Sequence, residues 1–237
     1  MILRRVIKHF RNQEWIAISL DFFIVVVGVF VGLQVQEWNE ELGDQHEYQL
    51  ALERLVNEAS ANIVVLEKIF IDESSFIKSA RLGLETLQSC KHSLENVKLI
   101  ETGLSQITGT STIHLQMDAL DEITSSPLLL AQQALVTRKS FSSAKFNLNV
   151  LKIEADFSES LPFRNRPETN PMLGLGKPIK SNSSYHGIDT TREIYPLILK
   201  APVNEICQDN QLLKSFYTWL RFQSAIPTYT VAMRVEL

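Results

Sequence analysis

The longest apolar run in the chain lies close to its N-terminus. Residues 16–33 read IAISLDFFIVVVGVFVGL, and thirteen of these side chains are Leu, Ile, Val or Phe. A helix needs about 20 predominantly apolar residues to cross a bilayer. Trp15 and Trp38 bracket the run, as aromatic side chains do at the two membrane interfaces. The pattern therefore predicts one transmembrane helix over residues 15–38.

The charges on either side of the predicted span are strongly unequal. Residues 1–14 form a basic amphipathic segment with four Lys or Arg, whereas residues 37–53 carry six acidic side chains and no basic one. The positive-inside rule places the N-terminus in the cytoplasm and residues 39–237 outside it. A cleaved signal peptide is the rival interpretation, but VQEWNE after the run offers no small-residue cleavage site. We expect an uncleaved signal anchor.

Three residues inside the span are unusual for a plain anchor. An acid such as Asp21 marks a proton path or a partner contact when it lies within a span. Alternatively the span covers 22–38, and Asp21 then lies at the inner headgroup level. Gly28 and Gly32 form a G-x-x-x-G pair that lets two helices pack closely. The candidate membrane or partner contacts are Asp21, Gly28, Gly32, Trp15 and Trp38.

The N-terminal sequence also carries a resemblance. RRVIKHFRNQEW followed by LDFFIVVVGVFVGLQVQEWN resembles the signature of a family of uncharacterised single-pass membrane proteins of Gram-negative bacteria. The likeness covers about residues 2–39, with Asp21 and Asn39 included, and is looser around residues 120–151. It implies a bacterial inner-membrane location with a helical periplasmic region. It gives no indication of a chemical activity.

Beyond the span, apolar residues recur at alternating spacings of three and four. This pattern predicts a long helix over about Asp44–Leu94. A core-facing stripe is the favoured interpretation, and an intermolecular coiled coil is the alternative. Asn62, Glu73 and Gly83 occupy the same register and interrupt it. Its apolar members are Tyr48, Leu52, Leu55, Ala59, Leu66, Ile69, Phe76, Ala80 and Leu87.

The rest of the chain predicts further helices and one long irregular segment. A helical block covers about residues 113–161 and divides at Ser126-Pro127, where an N-cap precedes a proline at the first helical position. Asn147 and Asn149 also permit a short strand there. The Pro-, Gly-, Asn- and Ser-rich stretch 162–191 predicts a loop without regular structure.

A last helix is predicted over Val203–Ser224, and the TYTVAMRV sequence after it fits either a strand or a helical turn. The fold class is therefore mainly α. We expect one N-terminal transmembrane helix, an extracytoplasmic helical bundle and the irregular loop 162–191.

No sequence pattern in the chain carries catalytic or metal chemistry. His114, Asp118 and Glu122 share a helical spacing, but a solvated polar face has the same appearance. The Gly174–Lys177 sequence GLGK lacks the strand and helix that flank a phosphate loop. A net charge of −4 also argues weakly against nucleic-acid binding. We therefore expect no enzyme activity, no cofactor and no metal.

Two cysteines, Cys90 and Cys207, lie in the part of the chain expected outside the cytoplasm, where disulfides persist. An intramolecular bond would close a loop of more than 100 residues. Two buried free thiols, or a bond between two copies, fit the sequence as well.

The function expected from these features is that of a membrane-anchored interaction protein. It would be a scaffold or accessory subunit of an inner-membrane complex, in contact with the lipid bilayer and with other membrane proteins or itself. A periplasmic small-ligand sensor or binding module is the alternative. About fourteen residues precede the span, which is too few for a signalling output domain, so the first class is favoured.

Overall fold

A computed structural model describes residues 14–164, 166–185 and 188–237. The predicted basic segment 1–14 lies outside the described residues apart from Glu14. About three quarters of the chain is helical, which confirms the mainly α prediction. The expectation of a helical bundle is not confirmed, and the described residues include four short strands beside the helices.

Helix α1 covers Glu14–Gln88, and its 75 residues extend for roughly 110 Å. The apolar N-terminal run and the later heptad stripe are therefore one continuous helix. From Ser19 to Trp38 its N-terminal part is exposed, and it is long and apolar enough to cross a membrane. The helix ends at Gln88 and not at Leu94, because Cys90 turns the backbone into the left-handed region at φ 52°.

Seven shorter helices follow, and the ends of several have a clear local cause. The Ser93 side chain caps α2 by accepting a hydrogen bond from the Asn96 amide at 3.0 Å. Pro127 opens α4, as its position after Ser126 predicts. The helices are α2 (Leu94–Gln106), α3 (Asp118–Ser125), α4 (Pro127–Gln132), α5 (Leu135–Ser160), α6 (Val203–Ile206), α7 (Asn210–Gln223) and α8 (Ile226–Glu236).

The prediction of one helix over Val203–Ser224 is wrong, because α6 and α7 are separate. Asp209 starts α7 by accepting hydrogen bonds from the amides of Gln211 at 2.7 Å and Leu212 at 3.1 Å. The two segments for which the sequence allowed either a strand or a helix are both helical. Asn147 and Asn149 lie inside α5, and the TYTVAMRV sequence lies inside α8.

The prediction that residues 162–191 lack regular structure is also wrong. The described part of this segment holds two 3-10 turns, at Pro162–Arg164 and Pro167–Thr169, and most of a pair of hairpin strands. Polar side chains pair across the two strands of this hairpin. Its sequence therefore lacks the alternation of apolar and polar residues that predicts a strand. Thr191 Oγ1, for example, donates to Asn182 Oδ1 opposite it at 2.9 Å. The strands are β1 (Leu173–Leu175), β2 (Ile179–Tyr185), β3 (Ile188–Ile194) and β4 (Leu197–Leu199), with β2 antiparallel to β3 and β1 antiparallel to β4.

Two apolar cores lie one after the other along α1. The first, which we call the Met233 core, joins the middle of α1 to α3, α4, α5 and α8. It includes Leu66, Ile123, Leu148, Ile226 and Met233. The second, the Trp219 core, joins the end of α1 to α2, α6, α7 and the β1–β4 pair, and it includes Leu87, Ile100, Leu173, Phe216 and Trp219.

Helices α1 and α2 touch backbone to backbone where they cross. A Cβ atom added to Gly83 would lie 2.8 Å from the Gly103 Cα, and one added to Gly103 would lie 2.9 Å from the Gly83 Cα. Real Cβ atoms do not approach backbone this closely. Gly83 interrupts the apolar stripe in sequence because a second helix takes the space of its side chain.

We predict that Gly83→Ala destabilises the protein by about 1–3 kcal/mol, because the added methyl group overpacks the crossing. Gly43→Ala in the same helix is the matched control. Nothing lies within 4 Å of a Cβ at Gly43, so alanine there should stabilise the helix by up to about 1 kcal/mol. Thermal unfolding of the full chain in detergent measures both changes. Changes in Tm of the same sign and size in the two variants would contradict the close approach of α1 and α2 at Gly83.

Candidate functional site

A buried asparagine on α1 holds the extended connection between α2 and α3. Asn62 is 2% exposed. Its Nδ2 donates to the Gln116 carbonyl at 2.7 Å, and its Oδ1 accepts from the Gln116 amide at 2.9 Å. The side chain thus satisfies both backbone groups of one residue, as a neighbouring strand would. This pairing explains why an amide interrupts the apolar stripe of α1.

The same connection is held at both of its ends. Glu58 of α1 accepts from the amides of Ala119 at 2.8 Å and Leu120 at 3.2 Å, and so caps the N-terminus of α3. At the other end, Trp219 Nε1 donates to the Gly109 carbonyl at 2.6 Å. Gln223 Oε1 accepts from the Ser111 amide at 3.4 Å. Residues 107–117 are therefore fixed between α1 and α7.

A cleft of about 380 Å³ opens between this connection, α1 and the β-strands. Glu73 and Phe76 of α1 line one side, and Trp219 of α7 lies beside the connection. Arg192 of β3 and Tyr195, which follows β3, also line the cleft. The cleft thus combines one carboxyl group, one guanidinium group and three aromatic rings.

Glu73 is the unusual member of this cleft. It is 0% exposed, and neither carboxylate oxygen has a hydrogen-bond partner of good geometry in the described part of the chain. Burial raises the pKa of the Glu73 carboxyl above its ordinary value of 4.5; the Ser111 side chain opposes this shift and the negative charge of Asp72 adds to it. A buried carboxyl without partners costs folding free energy, and such groups concentrate at functional sites.

Arg192 faces the same cleft from the β-strand side. Its side chain is exposed, and the described residues give it no ion pair. A guanidinium is planar and offers paired donors that match a carboxylate or a phosphate. The cleft is therefore lined by one carboxyl group and one guanidinium group, and neither forms a salt bridge within the described structure.

A second surface feature lies on α5, away from the cleft. Leu148, Ala155 and Ser158 bury one side of this helix. The other side carries large apolar residues with high exposure, including Phe146 at 67% and Ile153 at 68%. Their successive spacings of eleven, four, three and four residues place them on one helical face. We call this the α5 face, and it comprises Leu135, Phe146, Val150, Ile153 and Phe157.

The candidate contact residues named from the sequence all lie in the N-terminal part of α1. Asp21, Gly28, Gly32 and Trp38 are exposed, and a Cβ added to either glycine would have nothing within 4 Å. Trp15 lies near the start of α1, and its side chain is outside the described structure. None of the five approaches the cleft, which sequence analysis did not find.

The two weak chemical motifs do not form sites in the described residues. His114 lies in the extended connection and Asp118 begins α3, so His114, Asp118 and Glu122 do not share a helical face. No group of three potential metal ligands forms within the described part of the chain. Gly174 lies in β1 and pairs with Ile198 of β4, which is not the geometry of a phosphate loop.

Cys90 and Cys207 are joined as an intramolecular disulfide in the structure, with their Cα atoms 5.4 Å apart and a sequence separation of 117. The bond connects the turn after α1 to the turn after α6. Cys207 is buried in the Trp219 core, so the cross-link joins the end of the long helix directly to that core.

We predict that Glu73→Gln stabilises the protein increasingly as the pH rises. The pKa of the Glu73 carboxyl is raised in the folded state. Its contribution to the free energy of unfolding is therefore complete below about pH 4.5 and is lost as the pH rises through the folded-state pKa. Glutamine has no such loss, so the difference in Tm should be small at pH 4.5 and positive at pH 8. Each kcal/mol corresponds to about 2–4 °C. Glu53→Gln, at an exposed position of α1, is the control, and a pH-independent effect of Glu73→Gln would contradict the assignment.

Comparison with protein-family models, with curated proteins and with solved structures finds no match for this chain.

Proposed function

We propose that the protein is a membrane-anchored interaction protein whose α5 face docks a helix of another membrane protein. The observation that carries the proposal is the exposed apolar stripe on a helix whose other side packs against the Met233 core. Large exposed apolar patches on soluble domains are typical of interaction sites. Its continuous part, from Phe146 to Phe157, is about 16 Å long, which suits about three turns of a partner helix.

In this proposal the N-terminal part of α1 is an inner-membrane anchor with its N-terminus in the cytoplasm. The basic residues before the apolar run and the acidic residues after it support this orientation. The Cys90–Cys207 bond supports an oxidising compartment such as the periplasm for the rest of the chain. The resemblance of residues 2–39 to a family of single-pass membrane proteins of Gram-negative bacteria agrees with both points.

The continuous helix also limits where the partner can bind. The Met233 core, which holds α5, packs on α1 between about Ala51 and Leu66. These positions are 13 to 28 residues beyond Trp38, or roughly 20–40 Å above the interface that Trp38 would mark. A partner that docks on the α5 face must therefore extend about 20–40 Å beyond the membrane interface.

A small-ligand binding module is the second candidate function, and the cleft at Glu73 favours it. The two functions use different surfaces, since no residue of the α5 face lines the cleft. The same chain can therefore perform both.

We predict that a photo-crosslinking amino acid at position 146 joins the protein to a defined membrane partner in intact cells. The double variant Ile153→Ser/Phe157→Ser should abolish the adduct, because it removes two large apolar side chains from the same face. Mass spectrometry of the detergent-solubilised complex identifies the partner and its stoichiometry.

Val64→Ser/Ile71→Ser is the matched control. Both residues are exposed apolar positions of α1, at 67% and 65% exposure, and neither belongs to the α5 face. We expect this variant to retain the adduct. An adduct that survives the α5 double variant, or that both double variants abolish equally, would contradict docking at the α5 face.

A further inference from the structure

The junction between α4 and α5 exposes apolar side chains at the start of α5. Leu135 and Val136, the first two residues of that helix, are 65% and 76% exposed. We call residues 127–139 the α5 tip. It contains no acidic side chain, and its two charged residues, Arg138 and Lys139, are basic. Three smaller apolar residues of the tip are also exposed, namely Pro127, Ala131 and Ala134.

Two sets of contacts relate α5 to α1, and the first lies in the N-terminal half of α5. Lys145 Nζ pairs with Asp121 of α3 at 2.8 Å. Glu122, the next residue of α3, pairs with Arg54 of α1 at 2.8 Å. Through α3, Lys145 of α5 is therefore placed near the level of Arg54 on α1.

The second set lies at the C-terminal end of α5 and passes through α8. Ser158 Oγ lies 3.5 Å from Tyr229 Oη, and Arg234, five residues further along α8, pairs with Glu67 of α1 at 2.9 Å. Ser158 is thirteen residues beyond the first contact on α5, and Glu67 is thirteen residues beyond it on α1. The two helices therefore run in the same direction.

This direction brings the N-terminal end of α5 towards the apolar N-terminal part of α1. Arg54 lies sixteen residues, or about 24 Å, beyond Trp38, and Leu135 lies ten residues, or about 15 Å, before Lys145. The α5 tip is therefore within roughly 15 Å of the level of Trp38. In agreement, Asp44 is the first residue of α1 after Trp38 that is half-buried.

We propose that the α5 tip rests on the surface of the bilayer that α1 crosses, with Leu135 and Val136 among the phospholipid headgroups. This inference rests on the proposed membrane anchor and not on partner docking. Headgroups extend about 5–8 Å beyond the hydrocarbon core. Helix α5 packs mainly on α3 and α8, outside α1, so a typical tilt of about 20° towards α5 lowers the tip by about 5 Å. Contact with the surface thus fixes the direction in which α1 tilts.

The chemistry of the α5 tip suits a lipid surface. The Cα–Cβ bonds of a helix lean towards its N-terminus, so the exposed side chains of the first turn of α5 are directed towards the membrane. Leu135 and Val136 bury apolar surface at the boundary of headgroups and acyl chains, and Lys139, one turn later, can extend its ammonium group to a phosphate. The acidic residues of α1 at positions 37–53 oppose attraction to an anionic surface. Apolar insertion is therefore the main contribution, and an anionic lipid is not required.

The test attaches an environment-sensitive fluorophore to Val136→Cys in the full chain, reconstituted in phosphatidylcholine vesicles. Cys90 and Cys207 are bonded to each other, so the introduced cysteine carries the label. Lipids with a nitroxide on the headgroup should quench this label at least 3-fold more strongly than the same label at Val235→Cys. Val235 is 80% exposed, and its neighbour in sequence pairs with α1 about 40 Å beyond Trp38.

Leu135→Asp in the protein labelled at position 136 should reduce the quenching at least 2-fold, because a charged side chain does not insert at the apolar boundary. Leu94→Asp is the matched control. Leu94 is likewise the first residue of a helix and is 90% exposed, but it belongs to α2, beyond the far end of α1. We expect this variant to leave the quenching unchanged.

Equal quenching of the labels at positions 136 and 235 would overturn the proposal. A label at position 136 with blue-shifted emission but no quenching would overturn it in favour of a protein partner on the same surface. Phe30→Cys, labelled in the same way, tests the anchor separately with lipids that carry the nitroxide on an acyl chain. Quenching at position 30 without quenching at position 136 would refute the α5 tip alone, whereas no quenching at either position would refute the anchor as well.

Discussion

The organisation of this protein depends on the packing of five shorter helices against one side of a single long helix. Helices α2, α3, α4, α7 and α8 all contact α1. The buried residues of α1 recur at helical spacing from Ala51 to Leu87, and the N-terminal third of the helix has no buried residue in the described structure. Because α1 does not break between these parts, whatever holds its N-terminal end also sets the position and orientation of the folded domain.

Three residues interrupt the apolar stripe of α1, and each accounts for a contact or a site that the domain forms on that helix. Asn62 satisfies the backbone of Gln116, Gly83 admits α2 to backbone contact, and Glu73 is buried in the wall of the cleft. The first two stabilise the fold. Glu73 destabilises the fold, because its buried carboxyl has no hydrogen-bond partner of good geometry. The α5 face likewise exposes apolar surface that a domain needed only for folding would cover.

The sequence alone predicts the features that depend on local periodicity. The apolar run, the long helix, the division before Pro127 and the helical content all follow from spacing and from one proline. The features that could not be predicted depend on contacts between residues that lie far apart in the sequence. The hydrogen bonds of Asn62 join residues 54 positions apart, and the role of Gly83 requires Gly103 on another helix. The hairpin was missed because polar pairs such as Asn182 and Thr191 satisfy each other across strands, a contact that no single segment displays.

The central claim is that the apolar N-terminal part and the domain share one rigid helix, and a distance measurement tests it directly. Leu42 and Leu82 are exposed positions of α1, at 51% and 44% exposure, and 40 residues separate them. Spin labels attached to cysteines at these two positions, in the disulfide-bonded protein reconstituted in bilayers, should give a narrow distance distribution centred near about 60 Å. A broad distribution, or a mean distance clearly shorter, would show that α1 bends or breaks between its exposed part and the domain.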